Sequence, residues 1–516
     1  MANIKILWVD DEIDLLRPHI IFLEKKGYDV DSCTNGTDAI DKIEQENYDI
    51  VFLDENMPGI TGLETLMIIK EKQASLPIVM ITKSEEEFIM EEAIGSKITD
   101  YLIKPVNPNQ ILLSLKKSLE TSRLVSEKTT SNYQQEFRKI SMDLMDVRTF
   151  EDWTAMYKKL TYWELELERI QDEGMIQILE TQKKEANSLF FKFVKNNYED
   201  WFYEDEKPIM SHTAFKEYIY PKLKQGERSL LLMIDNLRYD QWKILQPVIN
   251  DYYNTTKESA YYAILPTATQ YARNAFFAGL MPLEIEKRHP NLWKNDTEEG
   301  GKNMHEKEFL DDQIQRLGLK INCHYSKIAS LNSGKKFVDN FKNIITSNHF
   351  TAVVYNFVDM LSHSRTEMEV IKELASNDKA YRSLTLSWFR NSPLFEIIKM
   401  ASKANLKLYI TTDHGTINVN NPTKLVGDKN TSLNLRYKQG KSLSYEKRDV
   451  YAAKDPHDIY LPKVNVSSSY VFAKEDLFFA YPNNYNHYVK YYRNTYQHGG
   501  ISLEEMIIPF VEMEPK

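Results

Sequence analysis

Two sets of residues in this chain have the types and spacing to do chemistry. In the first, an apolar run ends in "VDDE" (Asp10, Asp11, Glu12), and another, "FLDENMPG", carries Asp54. Thr82 closes a third run, "IVMIT", and Lys104 follows a fourth in "YLIKP". Carboxylates gathered at one edge repel each other unless a cation neutralises them, and ligation by oxygen alone suits Mg2+, which keeps several waters. A hydroxyl and an ammonium beside them suit the set to an acyl phosphate. Asp54 is then the nucleophile, Mg2+ and Lys104 neutralise the phosphoryl oxygens, and Thr82 hydrogen-bonds one of them.

The second set is spread over the last 310 or so residues. Asp235 ends "LLLMID", Asp359 and His363 lie four apart in "YNFVDMLSH", Asp413 and His414 follow "KLYITT", and His498 sits in "TYQHGG". One Zn2+ commonly takes four nitrogen or oxygen ligands, so three Asp and three His are more than one ion needs. They suit two ions about 4 Å apart, a pair that clamps the attacking and leaving oxygens of a phosphoryl displacement. "AILPTATQYARN" offers Thr267 and Thr269 as nucleophiles that a metal would activate, and Arg273 as a group for a phosphate oxygen. His457 and His487 receive no role.

Elements must bring these residues together. Residues 1–120 alternate apolar runs ("IKILWV", "DIVFL", "PIVMI", "DYLI") with amphipathic stretches of helical length, which predicts a doubly wound parallel sheet covered on both faces. Ligands bind at the carboxyl ends of such strands. From about 121 to 205 the apolar residues fall at three- and four-residue steps, as in Trp153, Met156, Tyr157, Leu160 and Trp163. That spacing predicts three amphipathic helices, a bundle or dimerising surface. Thr149 and Asp152 read as a helix start, and Gly174 as a helix end. Strand-like runs return after "EDEKP": "SLLLMI", "TAVVYNFV", "LKLYIT", "SYVFA" and "EMIIPFV". The polar stretches 290–305 and 427–448 read as long surface loops. The domains expected are 1–122, 123–205 and 206–516.

Composition narrows the class. The chain has 516 residues, a net charge of −10, 27% charged and 42% hydrophobic residues, the balance of a multidomain globular protein with no polybasic coat. Its only cysteines, Cys33 and Cys323, are far apart and in no ligand spacing, which points to a reducing compartment. "MANIKILWVDDE" enters a strand pattern without room for a signal peptide, and no apolar run reaches the roughly 20 residues of a membrane span. A cytoplasmic location is expected. Nothing after residue 120 reads as a basic recognition helix.

The N-terminal pattern of DD, D-x-x-M-P-G, T and K-P resembles the CheY-like receiver domain of two-component response regulators over residues 3 to about 120. The resemblance implies phosphorylation of Asp54 by a sensor histidine kinase. Mg2+ would be held by Asp11, Asp54 and the carbonyl of Asn56, with Asp10 nearby, and Thr82 and Tyr101 would form the switch pair. Lys83 departs from the small residue usual there. The C-terminal pieces resemble a PglZ domain of the alkaline phosphatase superfamily, an α/β fold. That implies one zinc on Asp359, His363 and His498, another on Asp235, Asp413 and His414, and Thr269 as nucleophile. The sulfatase nucleophile pattern C/S-x-P-x-R is absent. Receiver, helical connector and PglZ-like domain in this order resemble PorX-type response regulators, associated with type IX secretion and gliding. The resemblance implies a zinc-dependent phosphodiesterase acting on nucleotides or oligonucleotides, set by Asp54 phosphorylation; the receiver's outer face with the three-helix connector is expected to pair phosphorylated chains as a homodimer. A zinc-containing docking module without catalysis and a phosphomonoesterase stay open.

Overall fold

The computed structural model describes residues 4–73, 76–83, 98–296, 298–375, 377–428 and 431–516, with side chains described except at 120–125, 364–367 and 369–370. The chain divides into two compact units, residues 1–136 with 169–172, and 137–168 with 173–516.

In the first unit, β1 (Lys5–Val9), β2 (Asp29–Cys33), β3 (Ile50–Asp54), β4 (Ile78–Thr82) and β5 (Asp100–Ile103) form one sheet in the order β2-β1-β3-β4-β5. Every pairing is parallel. The central strands β3 and β4 are buried along their whole length, so their sequences are continuously apolar and do not alternate. Helices α2 (Gly36–Gln45) and α3 (Gly62–Lys72) cover one face through Ala39, Ile43, Leu66 and Ile69. Helices α1 (Arg17–Glu24) and α4 (Pro108–Asp146) cover the other through Leu23, Ile111 and Leu115. The amphipathic stretch after "PIVMI" falls at 84–97, outside the described residues, as do residues 1–3 of the opening run.

Helix α4 continues without a break through residue 122. Helices α5 (Phe150–Ile170) and α6 (Glu173–Asn197) follow. Thr149 and Asp152 do mark a helix start: the Asp152 amide donates to Thr149 Oγ1 at 3.2 Å and the Thr149 amide to Asp152 Oδ2 at 3.0 Å. Gly174 does not end a helix but lies in the first turn of α6; the break falls at Gln171, whose φ of 57° turns the chain.

The second unit centres on a six-stranded sheet of β6 (Ser229–Ile234), β7 (Tyr253–Tyr262), β8 (Cys323–Ile328), β9 (Phe350–Tyr355), β10 (Lys407–Thr411) and β11 (Ile507–Pro515), in the order β7-β11-β10-β6-β9-β8. β10, β6, β9 and β8 run parallel, and β11 runs antiparallel to both its neighbours. The three central parallel strands are fully buried. "SYVFA" joins a separate three-stranded sheet with Tyr437–Lys441 and Val450–Ala453. The stretch 427–448 is therefore not wholly a loop, since it holds the strands Tyr437–Lys441 and Ser444–Tyr445. Among the described residues no helix is long and apolar enough to cross a membrane.

Candidate functional site

Register brings the N-terminal groups together. Val9 pairs with Leu53, Asp54 with Ile81, and Thr82 with Ile103, so Asp10, Asp54, Thr82 and Lys104 all emerge at the carboxyl edge of the sheet. Lys104 Nζ lies 2.8 Å from Asp10 Oδ2 and 2.9 Å from Asp54 Oδ1. Both carboxylates are buried. Burial pushes the Asp54 carboxyl up to about 6, against the hydrogen bond from Lys104, and the Asp10 and Asp11 charges push the same way. Gly62 lets α3 approach this edge, because a Cβ there would meet the Asp54 carbonyl oxygen at 2.3 Å.

Oxygens of Asp10, Asp11 and Glu12 lie within 4.8 Å of one another. This all-carboxylate set fits a hard cation such as Mg2+. Glu12 stands in that cluster although the resemblance gave it no role, while Asp54 faces Lys104 and Asn56 is exposed. Thr82 is buried and Tyr101 half-buried. Lys83 reaches Glu12, with Nζ 3.1 Å from Oε2, so its ammonium is engaged beside the pocket.

In the second unit β6, β10 and β9 deliver Asp235, Asp413 with His414, and the segment carrying Asp359 from adjacent parallel strands. Asp359 and His363 are not on a surfacing strand: β9 ends at Tyr355, and helix α9 (Phe357–Glu367) sets the two on one face. Ligand atoms of Asp235, Asp413 and His414 lie within 4.8 Å of one another, as do those of Asp359, His363 and His498. His414 Nε2 is 4.0 Å from Asp235 Oδ1 and 3.7 Å from Asp413 Oδ2, and Asp359 Oδ1 is 3.5 Å from His363 Nε2 and 3.9 Å from His498 Nε2.

Second contacts fix the ring orientations. His414 Nδ1 donates to the Gly415 carbonyl at 3.0 Å and His498 Nδ1 to the Thr267 carbonyl at 3.2 Å, leaving each Nε2 lone pair facing the carboxylates. Asp235 Oδ1 and Asp413 Oδ2 are buried without a hydrogen-bond partner among the described residues. Burial pushes Asp359 up to about 6, with the Asp235 charge adding to it, and pushes Asp413 up likewise. Burial, then His414 and His363, hold His498 well below the usual imidazole range. Burial would raise Asp235 too, but Arg273 and His414 hold it low. Buried carboxylates with unpartnered oxygens, set beside imidazole nitrogens, fit divalent cations, and nitrogen with oxygen ligation fits zinc.

Thr269 opens helix α8 (Thr269–Ala278), and its Oγ1 lies 3.0 Å from His414 Nε2. Thr267 is committed elsewhere: its hydroxyl donates to the Gly500 carbonyl at 2.8 Å and accepts from the Gly499 amide at 3.0 Å. Arg273 is engaged by carboxylates of this site. It is buried, with Nη1 donating to Asp235 Oδ2 at 2.6 Å and Nε to Glu306 Oε1 at 2.9 Å. His457 and His487 are exposed and belong to neither triplet.

Three residues escaped sequence reading. Asn236, at φ 65°, lies between the triplets: its amide donates to Asp413 Oδ1 at 3.4 Å, and Nδ2 to Ser362 Oγ at 3.1 Å and Asp359 Oδ1 at 3.5 Å. Its place beside Asp235 was the one available signal. Glu306 anchors Arg273, and Asn303 donates to the Thr269 carbonyl at 3.0 Å, so the stretch 290–305 supports the backbone at Thr269.

Comparison with known sequences assigns each part. The response regulator receiver domain matches residues 6–116, the PorX response regulator linker domain 123–202, and the BREX system PglZ alkaline phosphatase-like domain 214–513. The chain belongs to the PglZ alkaline phosphatase-like family, in a PorX-type response-regulator architecture. It is 38% identical over 122 residues to the transcriptional regulatory protein ResD of Bacillus subtilis, covering 24% of this chain and 50% of that one. It is 32% identical over 126 residues to the alkaline phosphatase synthesis transcriptional regulatory protein PhoP of Bacillus subtilis, covering 24% and 52%. The chain thus spans about half the length of the curated relatives it matches. Among solved structures, chemotaxis protein CheY4 of Vibrio cholerae is 30% identical with a TM-score of 0.22, covering 23% of this chain and all (100%) of that one. Response regulator TrrA of Thermotoga maritima, in complex with Mg2+-BeF, is 32% identical with a TM-score of 0.21, covering 22% and 99%.

Proposed function

We propose that this response regulator carries a zinc-dependent phosphodiesterase acting on nucleotides or oligonucleotides, governed by phosphorylation of Asp54. The observation that carries the reading is the position of Thr269 Oγ1, 3.0 Å from His414 Nε2 at the first residue of a helix, beside the Asp235–Asp413–His414 triplet, whose His414 ring stacks on His498 of the other triplet at 4.2 Å. Asp235, Asp413 and His414 would hold one zinc, and Asp359, His363 and His498 the other. When bound, the ions lower the pKa of the attacking oxygen and stabilise the departing one.

Thr269 Oγ1 attacks phosphorus in line, and the bond to the leaving alcohol breaks as the new P–O bond forms. The amides at the start of α8 favour the phosphoryl charge. Water then cleaves the phosphothreonine and restores the hydroxyl. Asn303 holds the Thr269 carbonyl, and Arg273 orients Asp235.

In the receiver, a histidine kinase would phosphorylate Asp54 with Mg2+ on the Asp10–Asp11–Glu12 side, and Thr82 and Tyr101 would pass the change to the surface. Phosphorylated chains would pair as homodimers, in line with a role in type IX secretion or gliding. Beryllofluoride-treated protein that sediments only as monomer refutes the pairing.

The test of the enzyme is hydrolysis of bis(p-nitrophenyl) phosphate with metal content measured on the same samples. Wild type should hold about two zincs and turn over, and Thr269→Ala should hold the same zinc without turnover. Zinc retained with no turnover by either protein makes the domain a docking module. Faster cleavage of a monoester than of the diester makes it a phosphomonoesterase.

A further inference from the structure

The helix α11 (Tyr485–Tyr492), "YNHYVKYY", precedes the ligand His498 by a few residues and has no buried side chain. Tyr485, Val489 and Tyr492 pack on Ile417, Val419, Phe478 and Ala480, at the spacing of one helix face. The remaining face presents His487, Tyr488, Lys490 and Tyr491 outwards, with Tyr488 37% and Tyr491 42% exposed. An outer face selected only for solubility carries mixed charge and few aromatics. This one pairs aromatic rings with cations.

Charge runs one way here. No Asp or Glu occurs between Asp476 and Glu504, although the chain has 75 of them in 516 residues. Lys490 and Arg493 are exposed, and Lys424 Nζ lies 5.3 Å from the Tyr485 ring. The rings form two nearly parallel pairs, His487 with Tyr491 (6.4 Å, 16°) and Tyr488 with Tyr492 (6.2 Å, 11°), and the pairs cross edge to face, His487 against Tyr488 at 71° and Tyr491 against Tyr492 at 85°.

The helix is fixed to the metal-ligand cluster. Arg493 is five residues from His498, at most about 18 Å of chain. The intervening strand Thr495–Gln497 pairs with Ile417–Val419, which begins three residues after His414.

We propose that the outer face of α11 is a stacking platform for single-stranded nucleic acid whose scissile phosphate lies at Thr269. Base faces stack on tyrosine whatever the sequence, and Lys490, Arg493 and Lys424 attract the phosphates. Duplex bases offer no free face, which restricts the ligand to single strands. The proposal rests on the phosphodiesterase reading and adds to it a substrate longer than a mononucleotide.

The test uses the full chain, zinc-loaded and carrying Thr269→Ala to prevent cleavage, with anisotropy of a short fluorescein-labelled oligouridylate. Tyr488→Ala and Tyr491→Ala should each weaken binding about ten-fold or more. Tyr488→Phe and Tyr491→Phe should restore it, and Lys490→Gln should flatten the salt dependence. With Thr269 intact, the tyrosine variants should cleave bis(p-nitrophenyl) phosphate like wild type. Oligouridylate binding that is undetectable, or unchanged in the alanine variants, overturns the platform; so does failure of phenylalanine to restore binding. If the small diester is still hydrolysed in those cases, the enzyme reading stands alone. Tyrosine-dependent binding with no hydrolysis of either compound leaves the platform and removes the enzyme.

Discussion

Arg273 Nη1 donates to Asp235 Oδ2 at 2.6 Å, and Nε of the same guanidinium donates to Glu306 at 2.9 Å. Both bonds are buried, so Nη1 and Nε of the guanidinium orient Asp235, a residue of the proposed zinc site. Arg273→Lys keeps the charge but cannot make both bonds in the same geometry. Zinc affinity should fall roughly 10- to 100-fold, the usual cost of losing such a partner. At saturating zinc, KM for a diester should be unchanged. Arg273→Ala, which strands two buried carboxylates, should cost about 3–5 kcal/mol in urea unfolding. A raised KM with zinc affinity intact would return Arg273 to the substrate.

Gly415 follows His414 for a steric reason. A Cβ there would lie 1.9 Å from the Glu504 carbonyl oxygen, and the Gly415 carbonyl is itself the acceptor for His414 Nδ1. Gly415→Ala must push the backbone away from the short helix Leu503–Met506, at about 1–3 kcal/mol or more, and rotate the imidazole. Zinc content and melting temperature should both fall. Gly318→Ala is the control: φ there is 70° with open space around the Cβ, so the cost is backbone strain alone and zinc should be retained.

The strand ends were legible because a buried parallel strand must be continuously apolar, so "IVFLD", "SLLLMI" and "KLYIT" announce where a polar side chain can first surface. Asp54, Asp235 and Asp413 follow directly. The helix carrying Asp359 and His363 was not legible. "TAVVYNFV" is apolar throughout, and periodicity cannot say where a strand yields to a helix inside such a run. Nor was the work of Arg273, whose partners lie 38 and 33 positions away. Gln171 broke the helix in place of Gly174 because a positive φ there leaves no compositional trace.

His212 should give the second unit an acid-sensitive term. Burial, with Lys207 nearby, lowers its pKa from 6.5 to about 4. The side chain is partly exposed, but Nδ1 is closed off without a hydrogen-bond partner among the described residues. The unfolded chain takes up a proton first, so stability is complete above pH 6.5 and declines as pH falls towards 4. The loss at pH 5 should approach about 2 kcal/mol. Urea unfolding at neutral pH and at about pH 5 should show it in wild type, and His212→Gln should show a smaller decline. Equal declines in both proteins would assign the acid sensitivity to other groups.

The helical connector is tied to the PglZ-like domain by charge. Helix α10 (Asp378–Arg390) sends Arg382 to Glu164 Oε1 at 3.0 Å, to Asp240 Oδ2 at 2.5 Å and to Glu168, so one guanidinium joins α5 to α7 (Tyr239–Ile249). Asp240 also takes Arg238, which reaches Asp378 at 2.7 Å, and Tyr496 donates to the same Asp378 at 2.7 Å. Arg238 is three residues from Asp235 and Tyr496 two from His498, so the lattice ends beside both triplets. Removing one buried charge leaves its partners uncompensated. Arg382→Ala should therefore destabilise the unit by about 3–5 kcal/mol and raise amide exchange in α5 before the sheet strands. Asp378→Asn, at a partly exposed end, should cost much less, since a neutral amide still accepts from Tyr496. If the lattice carries the receiver's signal, this variant should keep basal diester hydrolysis while shrinking its response to beryllofluoride, by a coupling of about 0.5–2 kcal/mol. An undiminished response would reduce the lattice to a structural seam.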